Sequence, residues 1–224
     1  MRIVLTSHLP PSLVSAGDSV AGLPLASLAA GLTAAGHEVR VVMVLDDPQA
    51  DDGLPATVRA ERIICRPHDP AADLPFNLPA FDPGPAARQT FQQLSDSQLG
   101  AYRDCLRRRL DACIEAFDPH LIHCQQLWLF GHLALESGAP YLMTAQGPEL
   151  QALQADPRCR RPLEEAVENA GGILASNTQV RAELLSVFPE AAELVLLEPT
   201  IDRFTAIYQA ILRRRFGPSA PHAG

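Results

Sequence analysis

Short apolar runs alternate along this chain with longer stretches of helical spacing. Residues 2–7, 38–44, 57–65, 121–124, 140–144, 170–176 and 193–197 are compact runs rich in Val, Ile and Leu, punctuated by Gly, Pro, Asp or Ser. Each predicts a strand, and where apolar residues follow one another without in–out alternation the strand is expected to be buried on both faces. Between the runs, apolar residues recur three and four apart. The spacing predicts helices over 20–35, 89–117, 127–136, 156–169, 179–187 and 201–216. Gly36, Asp118-Pro119 and Ser137-Gly138 supply the stops. Strands alternating with helices give a single doubly wound, Rossmann-like α/β domain with a mostly parallel sheet of about seven strands. It takes up residues 1–200. The helix 201–216 is expected to pack back on it, and 217–224 to form a disordered tail.

Two neighbouring strands end in polar residues. His123, Gln125 and Gln126 follow the first, and Thr144, Gln146 and Glu149 the second. In an open parallel sheet, ligands sit outside the carboxyl ends of the strands. The stretch 117–150 is therefore the expected working face. A second candidate is the turn between the first strand and its helix, which contains Pro10-Pro11 and Gly17-Asp18. Backbone N–H groups at a helix start attract anions, although this turn is neither GxGxxG nor a P-loop. The proline-rich residues 66–87 read as a long surface loop.

Charge and composition narrow the function. All 18 basic residues are Arg, and the formal net charge of −8 argues against a general nucleic-acid binder. Five Cys, an odd number with no CxxC pair, predict buried thiols in a reducing cytoplasm and no metal site. No apolar run approaches the roughly 20 residues of a membrane span, and no signal peptide is visible.

With the strands placed, four segments carry a resemblance. Ala35-Gly36-His37-Glu38-Val39 precedes the second strand. Phe117-Asp118-Pro119-His120-Leu121-Ile122-His123 enters the fourth. Residues 138–147, Gly-Ala-Pro-Tyr-Leu-Met-Thr-Ala-Gln-Gly, span the fifth and its turn, and 170–184 span the sixth strand with its helix. Together they resemble the N-terminal, acceptor-side lobe of GT-B-fold, family 4 glycosyltransferases. The resemblance implies one half of a GT-B fold, and hexosyl transfer from a nucleotide-sugar such as a UDP- or GDP-sugar to a sugar acceptor, with no metal or other cofactor. It also implies departures. The acceptor-side histidine two residues beyond the His123 position is Gln125 here, and the histidine after the next strand is Gln146. The segment 198–204 resembles the interlobe connection, and 205–212 the family's last helix. The C-terminal donor-binding lobe is thus expected to be missing between them.

From these readings the expected ligand-contacting residues are Gly17, Asp18, Gln125, Gln146, Gly147 and Glu149. Gly17 would admit a phosphate or sugar close to the backbone, and the Gln and Glu side chains would hydrogen-bond hydroxyls. No catalytic residue is assigned, because Gln is not a general base at neutral pH. Two functions stay open: the acceptor-side half of a glycosyltransferase, completed by a homo-oligomer or a separate donor-lobe partner, and a non-catalytic sugar-, nucleotide- or protein-binding module derived from one.

Overall fold

The computed structural model describes residues 1–8, 24–81 and 89–217. Strands β1 (Arg2–Ser7), β2 (Glu38–Leu45), β3 (Arg59–Ile64), β4 (Leu121–Cys124), β5 (Tyr141–Ala145), β6 (Ile173–Ala175) and β7 (Val195–Leu197) form one sheet in the order β3-β2-β1-β4-β5-β6-β7. Every neighbouring pair is parallel. Helices α1 (Leu25–Ala34), α2 (Asp96–Phe117), α3 (Phe130–Ser137), α4 (Pro148–Ala155), α5 (Pro157–Glu168), α6 (Thr178–Val187) and α7 (Ile201–Phe216) complete the alternation. The chain winds outward from β1 to β3 on one side and from β4 to β7 on the other. The sheet thus reverses direction between β1 and β4.

Both faces of the sheet are covered, which is why its strands lack alternation. Ile3, Leu5, Val41 and Met43 meet Leu28 and Leu32 of α1 and Phe204, Tyr208 and Leu212 of α7. Val4, Val42, Ile122 and Met143 meet Leu106 and Leu110 of α2, Phe130 of α3, Leu163 of α5 and Leu184 of α6. Each such side chain contributes about 1.5–3 kcal/mol on burial. The turn into β6 runs tight under α7. A Cβ at Gly171 would stand 2.4 Å from Ile211 Cγ2 and 3.1 Å from the Tyr141 carbonyl oxygen. Gly171→Ala should therefore cost about 1–3 kcal/mol through overpacking, read as a lowered urea midpoint. An unchanged midpoint would contradict the close approach.

The structure departs from the sequence reading in four places. Of the described part of the proline-rich stretch, residues 66–73 run at the surface as expected, but 74–81 do not, because Leu74, Phe76, Leu78, Ala80 and Phe81 are buried. Its apolar residues alternate between the prolines, as in an extended segment. It is tied down by parallel bridges Cys65↔Leu74 and Ala80↔Thr90. Helix α2 starts at Asp96 rather than near 89, because Ser95 and Gln98 form a reciprocal capping box. Helix α3 starts at Phe130, and the five residues before it, 125–129, are buried irregular chain. Helix α4 has no counterpart among the predicted helices, although Gly147 followed by Pro148 at the first helical position is a start signal.

Candidate functional site

The reversal between β1 and β4 opens the carboxyl edge of the sheet. Register places Thr6 beside Cys124 and Cys124 beside Met143, so the residues just beyond them line up as a row. The row runs from His8 after β1, through Gln125 and Gln126 after β4, to Gln146 and Glu149 after β5. Polar contacts link it: the His8 backbone N–H donates to Gln126 Oε1 (3.3 Å), Gln126 Nε2 approaches Gln146 Oε1 (3.5 Å), and the Gln146 backbone N–H donates to Glu149 Oε1 (2.7 Å). Gln125 continues the ladder by donating its backbone N–H to the Thr6 carbonyl (2.9 Å). Four of the six expected contact residues, Gln125, Gln146, Gly147 and Glu149, are thus brought to one edge. Gly17 and Asp18 lie outside the described residues.

Glu149 is buried at 1% exposure, and burial pushes its carboxyl up to about 7, against the pull of the backbone N–H groups of Gln146, Glu149 and Gly147. Its carboxylate is turned onto the start of α4, where those N–H groups would otherwise have no partner. Gly147 makes this geometry accessible, with φ at +114°. Glu149 is therefore placed to shape the turn that presents Gln146.

His123 sits in β4 itself, below the edge. Its Nδ1 pairs with the Tyr208 hydroxyl of α7 (2.7 Å) and its Nε2 with the Thr144 hydroxyl (2.8 Å). Burial lowers its pKa to about 3, so it stays neutral and joins the sheet to α7. His8 is the group the sequence reading passed over. It is fully buried, with its ring against Phe81 (4.9 Å between centroids), Phe91 (5.6 Å) and Phe130 (6.1 Å). Neither of its ring nitrogens has a hydrogen-bond partner, and Gln125 Nε2 has none either. Burial holds the His8 pKa near 3. The signal was its position directly after β1, which counts only once β1 is known to border the reversal. Among the described residues no group of His, Cys, Asp and Glu side chains converges as a metal ion would require. No helix there is long and apolar enough to cross a membrane.

Residues 22–200 match the glycosyl transferase 4-like domain, which is most of the chain. The chain belongs to the glycosyl transferase 4-like family. Solved structures agree on the fold of this glycosyl transferase 4-like domain. It is similar to sucrose-phosphate synthase from Thermosynechococcus elongatus, with a TM-score of 0.55 and 18% identity over 89% of this chain and 48% of that one. It is also similar to UDP-GlcNAc 2-epimerase from Methanocaldococcus jannaschii, at 0.54 and 10% identity over 96% and 50% of the two chains. The corresponding epimerase from Neisseria meningitidis, solved bound to UDP-GlcNAc, gives 0.50 and 12% over 96% and 54%. The chain spans about half the length of these proteins, as expected for one half of a GT-B fold. No relative was found among curated proteins.

Proposed function

We propose that this domain is the acceptor-side half of a glycosyltransferase that moves a hexosyl group from a nucleotide-sugar, such as a UDP- or GDP-sugar, to a hydroxyl acceptor. The donor would be held by a second lobe outside these 224 residues, on a partner protein or another copy of the chain. The observation that carries the reading is the row His8, Gln125, Gln126, Gln146 at the direction reversal of a family 4-like sheet. Amide and imidazole groups there hydrogen-bond and orient hydroxyls, and orientation between two lobes is a large part of catalysis by positioning. Leu196 and Leu197 of β7 are 48% and 47% exposed at the edge of the sheet, which suits contact with a further lobe or partner.

One observation favours the second reading, a non-catalytic binding module. Among the described residues of the row, burial leaves His8 too weak a base to hold a proton near neutral pH, and Glu149, whose pKa lies near 7, has its carboxylate committed to backbone N–H groups. The test is a thermal-shift panel of nucleotide-sugars, free nucleotides and neutral sugars. A ligand at 100 times its Kd stabilises the native state by about 2.7 kcal/mol, a shift of several degrees. The expected result is a shift with a nucleotide-sugar or sugar that is lost in Gln146→Ala. A panel without any shift would remove the acceptor-lobe reading and leave a protein-binding module.

A further inference from the structure

Charge is distributed unevenly along the carboxyl edge. The connections after β1, β4 and β5 are residues 8–24, 125–129 and 146–155, and they contain no Arg or Lys; Asp18 and Glu149 are their only acidic residues. Arg103 and Arg158 line a pocket together with Trp128 and Leu129 of the second connection, but Arg103 is paired with Glu136, and Arg158 with Asp96 and Asp156. Arg66, after β3, is paired with Asp47 (4.0 Å) and Asp69 (3.8 Å). Arg181 belongs to α6, which follows β6 beyond the row, and Arg203 to α7, whose start crosses to α1, where Ile201 meets Gly31 and Thr205 pairs with His37. Asp46 and Asp47 follow β2 on the other flank. Among the described residues, an anion brought to the ends of β1, β4 and β5 would lose water without gaining an unpaired countercharge.

The polar atoms that are present suit a different ligand. His8 Nδ1 and Nε2 and Gln125 Nε2 are buried without partners on adjacent strand ends. Leaving such an atom unsatisfied is destabilising, and a ligand group that pairs with it removes that cost. A neutral imidazole offers one donor and one acceptor, and a hydroxyl both donates and accepts. Carboxylate and phosphate oxygens only accept, and would leave the imidazole lone pair unmatched.

We infer that the ligand taken at the ends of β1, β4 and β5 is an uncharged hydroxyl compound, a neutral sugar or simple alcohol, and that phosphorylated and carboxylated acceptors are excluded. The inference rests on the acceptor-lobe reading and adds the charge class of the acceptor. His8 and Gln125 are the residues that meet its hydroxyls.

The test is calorimetric titration of the full chain with two matched pairs, glucose against glucose 6-phosphate and galactose against galacturonate, at low and high salt. The neutral member of each pair should bind about ten-fold tighter or more, a difference of about 1.4 kcal/mol, with an affinity that salt leaves unchanged. Gln125→Arg should bring the charged members to parity or beyond; the wild-type pairs decide the matter even if that variant does not fold. Equal or tighter binding of the charged members, weakening at high salt, overturns the inference and leaves the acceptor-lobe reading intact. Absence of binding by both neutral sugars overturns the inference too. The acceptor-lobe reading falls with it only if the nucleotide-sugar panel is also silent.

Discussion

Acidification from pH 7 to pH 3 is expected to cost the fold about 6 kcal/mol through three buried groups alone, comparable to the whole stability of many domains. His8 and His123 have pKa values lowered by burial from 6.5 to about 3. Their neutral forms favour the native state fully above pH 6.5. As pH falls below that value the unfolded chain takes up protons that the native state refuses, at about 1.4 kcal/mol per pH unit for each histidine. Glu149 acts in the opposite sense. Its pKa is raised from 4.5 to about 7, so its contribution is fully present below 4.5 and is lost as pH rises to 7. Acidification from 7 to 4.5 therefore returns about 1.4 kcal/mol per unit through this group. The net loss should be shallow between 6.5 and 4.5 and about twice as steep between 4.5 and 3. His8→Leu should halve the steep limb, and Glu149→Gln should steepen the shallow one. Urea midpoints across this range measure both, and a wild-type midpoint that is flat down to pH 4 would show that the histidines are not buried as described.

Loss of the Arg158 side chain should be the most damaging single change away from the sheet. Its guanidinium donates to Asp156 (2.7 and 3.0 Å), to Asp96 (3.0 Å) and to the carbonyls of Leu94 (2.8 Å) and Phe91 (3.1 Å). One side chain thus ties the start of α5 to the segment that leads into α2. Asp156 is 5% exposed, and its carboxyl is held below the usual range chiefly by the hydrogen bond from Arg158. Arg158→Ala would leave Asp156 Oδ2 and the Leu94 carbonyl without their donor, while Asp156 Oδ1 keeps the backbone N–H of residue 158 (3.0 Å) and the Phe91 carbonyl keeps the Leu94 N–H (3.2 Å), at about 3 kcal/mol. Arg158→Lys should recover less than half, because an ammonium lacks the planar fork that reaches several acceptors at once. The effect extends toward the site, since Phe91 packs against both Trp128 (4.9 Å) and His8 (5.6 Å). Hydrogen exchange over 89–95 should accelerate in Arg158→Ala. A cost under about 1 kcal/mol would show that the fork is solvated and dispensable.

The strands and most helices were legible because burial on both faces leaves a local trace. Runs such as Val39 to Met43, and helical spacing such as Leu28 and Leu32, need no knowledge of distant residues. The polar residues at the ends of β4 and β5 were legible for the same reason: a buried run that stops in Gln-Gln or Gln-Gly marks its own end. The family was legible from short segments at strand ends, and the match over 22–200 bears it out.

Tertiary structure decided what each polar residue does. His123 and His8 are both histidines near the end of a strand, yet one is held between Tyr208 and Thr144 and the other lies among aromatic rings without a partner. Tyr208 is 85 residues from His123 along the chain, a pairing that no local pattern encodes. Glu149 reads as a hydroxyl-binding group in sequence, and folding turns it onto the N–H groups at the start of α4. The proline-rich stretch reads as surface because prolines mark loops, but Phe76, Leu78 and Phe81 find burial against α2 and the aromatic cluster. Local sequence determines which segments become elements, because dihedral preference and hydrophobic period act over a few residues. The partners of polar side chains are set by which strand ends the sheet order brings together, and that order forms only in the folded chain.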